Sequence, residues 1–193
     1  MTLKTKFGVD SEGTTVPYGA FSDSIRKNYG FQDLRGKPEA AGSIAETAGS
    51  DALRRLLVRI AQPGFPIFTL GCDLGAHEEP EAPSARRRVS GGYVQVAAVD
   101  YDKTTGKIYS AFANGIARVV REAASKRWWE LRFVLKGAAF KFDPLSGDVR
   151  PTVWIWFFAS ASNLSDATLS REGLVDAIGN ALSSPAVLAK LKG

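Results

Sequence analysis

The sequence predicts an α+β fold, a two-layer sandwich in which a mainly antiparallel sheet of about four to five strands carries helices on one face. Three observations support it. Apolar residues recur at helical spacing over 53–60, as on the buried face of an amphipathic helix. They alternate with polar residues over 129–136, which indicates a strand. The run at 153–159 is apolar on both faces, as in a central strand. The expected element order is α-β-β-α-β-β-α.

The first helix is expected over about 43–61, where Ser50 or Asp51 caps its stronger second half. Two strands follow, over 65–71 and 92–101, and a charged loop connects them. The pattern leaves open whether these two strands run parallel or antiparallel to each other.

The segment after the second strand has two interpretations. The residues at 102–106 form a good turn sequence, so that 107–113 could close a hairpin as a strand. Apolar residues nevertheless repeat at helical spacing from Ile108 to Ala123. The longer pattern favours a helix over about 108–125.

The alternating strand changes phase near Gly137. Trp129 and Leu135 share one parity before this glycine, whereas Phe140 carries the opposite parity after it. One inserted residue reverses the parity of a strand, so we expect a bulge at 137–139.

The chain is expected to form a single domain with an N-terminal extension. Residues 1–42 are rich in glycine and turn formers, which predicts an irregular segment whose aromatic side chains pack on the body. Residues 43–193 then form the α+β domain, and a last helical region is expected over about 166–191. The hydrophobic fraction of 45% is sufficient for a globular core.

The composition excludes most metal and cofactor chemistry within one chain. There is one cysteine and one histidine, so that the usual structural zinc sites and the iron site of two histidines and a carboxylate cannot be built. No phosphate-binding or dinucleotide-binding glycine motif is present. We therefore expect no cofactor and no metal.

One stretch retains residues that an enzyme could use. Cys72, Asp73 and His77 lie within six positions of one another, so that a hydrolase or transferase could activate the thiol by hydrogen bonding to the imidazole. Catalytic cysteine and histidine residues are more often brought together from distant positions. The simpler interpretation is a buried thiol and an exposed loop histidine, which favours a protein that is not an enzyme.

The net charge of +5 makes nucleic acid a possible partner. The positive side chains that would contact it form two clusters. The first is Arg86, Arg87 and Arg88, and the second is Arg118, Arg121, Lys126 and Arg127. The first cluster shares its loop with three glutamates, and the second lies near a helix C-terminus, where cations complement the helix dipole.

Aromatic side chains of the central strand are candidates for an interface. If helices cover one face of the sheet only, Trp154, Trp156 and Phe158 would form an apolar patch on the other face. The alternative is that these rings belong to the core, covered by the N-terminal aromatic residues.

The expected function is therefore that of a binding or accessory protein, which meets a protein partner or a second copy of itself through the sheet or its edge. Nucleic-acid binding is the first alternative, and chemistry at Cys72 and His77 is the second.

The longest apolar run is too short to span a bilayer. A lone cysteine and the absence of an apolar leader predict a cytoplasmic protein, and the Ala-, Gly- and Arg-rich usage indicates a bacterial source.

Overall fold

A computed structural model describes residues 2–22, 27–75, 88–124, 128–142 and 149–192. The strands are β1 (Thr2–Val16), β2 (Phe21–Ser22), β3 (Lys27–Asn28), β4 (Ile67–Leu74), β5 (Arg88–Ala98), β6 (Trp128–Phe140) and β7 (Val149–Ala161). The helices are α1 (Pro38–Ala41), α2 (Asp51–Ile60), α3 (Gly106–Ala123), α4 (Leu164–Leu182) and α5 (Pro185–Leu188). Single 3-10 turns occupy Ala45–Gly49 and Ala189–Lys192.

Five of the strands form one mixed sheet in the order β1-β6-β7-β5-β4. Strand β1 runs parallel to β6, and the other three pairs are antiparallel. The predicted α+β class is confirmed, with helices on one side of the sheet. Strand β7 is central, as its apolar faces predicted, and β4 and β5 are antiparallel, which settles their orientation.

The main core lies between the sheet and a layer formed by α2, α3 and α4. Its members from α2 and α3 include Leu53, Leu56, Leu57, Tyr109, Phe112 and Ile116. Ser50 caps α2, because its hydroxyl oxygen accepts a hydrogen bond from the Leu53 amide at 3.0 Å. The segment from Gly106 to Ala123 is a helix and not a hairpin strand, because one side of it is buried against this core. In the described part of the chain, no helix combines the length and apolar character needed to cross a bilayer.

The N-terminal residues differ from the expectation of an irregular segment. Thr2–Val16 form an edge strand of the main sheet, and Phe7 stacks on Phe133 with ring centroids 5.3 Å apart. The strand pattern is weak in the sequence because an edge strand needs few apolar residues, and many residues of β1 are partly or fully exposed. Its first nine residues, Thr2 to Asp10, still pair continuously with β6.

The expected bulge at 137–139 does not lie in β6: the pairing with β1 shifts between Asp10 and Thr14, opposite Lys136 and Ala138, but the extra residues are in β1. Strands β6 and β7 pair without a shift from Trp128 opposite Ser160 to Ala139 opposite Val149. The apolar residues change parity because the buried face changes along the strand. At this end, Phe140 packs in a second cluster on the face away from the helices, against which Tyr18 and Phe31 of the N-terminal segment also pack.

Candidate binding cleft at the free edge of strand β4

The structure places the described candidate residues in four elements, β4, β5, α3 and β7. Cys72 and Asp73 lie in β4, the edge strand of the sheet. Arg88 begins β5, and Arg118 and Arg121 are exposed on α3. The aromatic candidates Trp154, Trp156 and Phe158 lie in β7. Five candidates lie outside the described residues: His77, Arg86, Arg87, Lys126 and Arg127.

Among the described residues, β5 is the only strand that pairs with β4, so the other edge of β4 is free in this part of the chain. The Gly75 amide donates a hydrogen bond to the Gly91 carbonyl at 3.1 Å. Hydrogen-bonded pairs recur at every second residue of an antiparallel ladder, so Asp73 also faces β5. The N–H and C=O groups of Cys72 and Leu74 therefore point away from the sheet. Within the described ranges, no residue donates to or accepts from these four backbone groups.

A cleft of about 470 Å³ follows this edge. Its walls come from β4, from the N-terminal segment and from the 3-10 turn Ala45–Gly49. Tyr18 fastens the N-terminal wall, because its hydroxyl donates a hydrogen bond to the Leu70 carbonyl at 2.8 Å. The side chains that give the cleft its chemical character are those of Tyr18, Phe21, Glu46, Cys72, Asp73 and Tyr93. The volume falls within the range of ordinary ligand sites.

The cleft has an acidic character. Burial raises the pKa of the half-buried Glu46 carboxyl, and the negative charge of Asp73 raises it further. Burial also raises the pKa of Tyr18 to about 12, with smaller contributions from Cys72 and Glu46. Among the described residues that line the cleft, none is a lysine, an arginine or a histidine. A positive group would therefore be favoured here over a negative one.

The 3-10 turn that carries Glu46 is held in place by Arg171, a buried residue of α4. Its guanidinium donates hydrogen bonds to the Gly49 carbonyl at 2.7 Å and to the Ser90 hydroxyl at 3.2 Å. It also donates to Glu172 Oε1 at 2.9 Å. Arg171 therefore ties the end of the turn to both α4 and β5, and it acts as a positioning residue for the cleft wall.

The surroundings of Cys72 disfavour nucleophilic chemistry. Burial raises the pKa of its thiol to about 12, and the charges of Glu46 and Asp73 add to this effect. The reactive form of cysteine is the thiolate, and a pKa this high keeps the thiol protonated at neutral pH. In the described ranges, no three histidine, cysteine or acidic side chains converge on a possible metal site.

The interface candidates Trp154, Trp156 and Phe158 lie on the face of the sheet opposite the helices, and two of them are covered. Trp156 is 8% exposed and Phe158 is fully buried. Trp154 stacks on Tyr93 with ring centroids 4.5 Å apart, and Trp156 stacks on Phe158 at 6.3 Å. The guanidinium of Arg132 lies 4.9 Å from the centre of the Phe158 ring. Trp156 and Phe158 belong to a small core and present little free surface, whereas Tyr93 and Trp154 pack against it and are partly exposed.

Two described members of the predicted basic clusters, Arg88 and Arg121, lie towards one end of the sheet. Arg88 lies opposite Ala161 on one side of β7, and Trp128 lies opposite Ser160 on its other side. Two strand spacings, about 10 Å, separate the starts of β5 and β6. Arg121 lies in the last turn of α3, the helix that precedes β6 in the chain.

The sequence pattern did not identify Tyr18, Glu46 or Tyr93 as residues of one site. They come from three separate segments, and none belongs to a motif, so that only the register of β4 and the path of the N-terminal segment bring them together. The one available signal was the set of aromatic residues in the N-terminal segment, which predicted that it packs on the body. No protein-family model, curated protein or solved structure matches this chain significantly.

Proposed function

We propose that this protein is a non-enzymatic binding protein that captures an extended segment of a partner protein at the free edge of β4. The observation that supports this most is the set of outward backbone groups of Cys72 and Leu74 beside a cleft of about 470 Å³. An added strand would hydrogen-bond to these groups, and the cleft walls would accept its side chains.

The sequence of β4 is compatible with strand addition. Natural edge strands are usually protected by lysine, proline or a bulge that turns the edge away. Ile67–Leu74 contains no lysine, arginine or proline. Its register irregularity lies between Thr69 and Gly71, before the outward groups of Cys72 and Leu74. The part of the edge that faces the cleft is therefore open to pairing.

A selection from a random-peptide display library, followed by N-methylation of the selected peptide, tests this proposal. A methyl group removes an amide donor, so that methylation at every second peptide position should abolish binding and methylation at the intervening positions should be tolerated. Tolerance at every position, or selected peptides that do not perturb the amide resonances of β4, would contradict it.

The same edge could instead pair with a second copy of the chain. Sedimentation velocity over a hundredfold concentration range distinguishes this case from the proposal. A monomer that binds peptides is the expected result. A stable dimer that the selected peptide fails to dissociate would assign the edge to self-association.

Nucleic-acid binding is the second candidate, because Arg88 and Arg121 approach the same end of the sheet. Against it, Trp156 is 8% exposed and Phe158 is fully buried, so that these two rings offer little surface to bases. Fluorescence anisotropy with single- and double-stranded oligonucleotides at two salt concentrations tests this candidate. Salt-sensitive binding that the double substitution R88A/R121A weakens, but R54A does not, would support it. Arg54 is a suitable control because it is exposed and already paired with Asp51.

A further inference from the structure

We infer that the cleft selects a segment that carries a lysine or arginine side chain, which would lie against Glu46 and between the tyrosine rings. This inference rests on the proposed function, since it assigns the chemistry of the segment that would bind there. It goes beyond strand addition, because backbone pairing alone does not distinguish one side chain from another.

Glu46 is the residue that would accept the positive group. Its 3-10 turn is fixed on both sides, because the Thr47 amide and hydroxyl both hydrogen-bond to the Ile44 carbonyl, at 3.0 and 2.7 Å. Arg171 holds the end of the same turn through the Gly49 carbonyl. No described cationic side chain pairs with the carboxylate of Glu46. A preorganised, half-buried carboxylate without a cation is suited to a charge-assisted hydrogen bond from a ligand.

Two tyrosine rings complete the wall. Tyr18 and Tyr93 both line the cleft, and the negative charge of Glu46 contributes to raising the pKa of both hydroxyl groups. The hydrogen bond from Tyr18 to the Leu70 carbonyl restricts the position of that ring. Aromatic faces attract ammonium and guanidinium groups, and arginine can also form a two-pronged contact with a carboxylate. The same walls therefore accept the apolar stem and the charged head of a long basic side chain.

The charge of the whole chain limits the partner further. The protein carries a net charge of +5, whereas the described lining of the cleft is acidic. At long range, a strongly basic segment would be repelled by the rest of the protein. We therefore expect a single cation among apolar and β-branched residues, and not a run of lysines or arginines.

The test uses the peptides selected by display on the full chain. The expected consensus has one lysine or arginine at a fixed distance from the methylation-sensitive amides. Replacing that residue by norleucine should weaken binding about tenfold or more, the usual effect of losing a hydrogen bond to a charged group. The substitution E46Q should cause a similar loss for the basic peptide and little change for the norleucine peptide. The control E122Q makes the same charge change on the exposed face of α3 and should alter neither affinity.

The outcomes separate this inference from the proposed function. Peptides that show the alternating methylation pattern but no preferred basic position would overturn the cation assignment and leave strand addition intact. Equal losses for the basic and norleucine peptides on E46Q would also overturn it, because the effect would then be structural. Selected peptides without the alternating pattern would remove the basis for both.

Discussion

The buried guanidinium of Arg171 provides a quantitative test of how the cleft wall is held. In the substitution R171M, the Gly49 carbonyl and the Ser90 hydroxyl each lose a donor, and Glu172 loses its charge partner. A buried polar group without a partner costs about 1–3 kcal/mol, and breaking a buried ion pair costs about 3–5 kcal/mol. Glu172 is 22% exposed and keeps its bonds to Ser50 and Ala52, which places the effect at the lower end.

We therefore expect R171M to lower the free energy of unfolding by about 3 kcal/mol, equivalent to about 6–12 °C in Tm for a chain of this size. Urea denaturation measures the change in the free energy of unfolding, and calorimetry measures the change in Tm. The matched control is R55M, because Arg55 also joins the α2 region to α4 through Asp176, but this pair is exposed at 57% and 47%. The control should lose less than about 1 kcal/mol. Equal losses in the two variants would refute the assignment of Arg171 as the anchor of the turn.

Three further results are expected. In G92A the new methyl group would overlap the Asp73 carbonyl oxygen and push β4 away from β5. Urea denaturation should show a loss of about 1–3 kcal/mol in the free energy of unfolding. The control G19A should be nearly neutral, because no atom lies within 4 Å of its new methyl group. Cys72 should react with iodoacetamide at pH 8 at least tenfold more slowly in the native protein than in the urea-unfolded chain, since a pKa near 12 leaves little thiolate; equal rates would contradict the buried environment. Burial raises the pKa of Glu172, but hydrogen bonds from Ser50, Ala52 and Arg171 lower it by more, so that the pKa lies below its ordinary value. Its stabilising contribution should therefore be present above about pH 4.3 and be lost as the pH falls below that value, and urea denaturation of E172Q between pH 5 and 3 should show a weaker pH dependence than the wild type.

The elements that the sequence predicted well are those whose burial is regular. The helical spacing at 53–60 and 108–123 survives in α2 and α3 because one side of each helix packs on the sheet. Strand β7 was recognisable because a central strand is covered on both faces, and its residues from 153 to 159 are all apolar. Ser50 was identifiable as a cap because the requirement for an oxygen acceptor at that position is local.

The features that were missed depend on neighbours distant in the chain. Strand β1 carries few apolar residues, and its pairing with β6 supplies what its own sequence does not indicate. The change of parity at Phe140 resulted from a change in the buried face, caused by Tyr18 and Phe31 from another segment. The cleft is a similar case, because a free strand edge is a property of the strand order, and strand order is not encoded in the pattern of any single strand.

Amide hydrogen exchange of β4, with and without a selected peptide, tests the central claim most directly. In the free protein, the amides of Asp73 and Gly75 face β5 and should exchange slowly, whereas those of Cys72 and Leu74 should exchange quickly. Bound peptide should slow Cys72 and Leu74 by at least about tenfold, because their amides would then donate to the added strand. Unchanged exchange at both amides with the peptide bound would show that the free edge of β4 is not where the partner pairs.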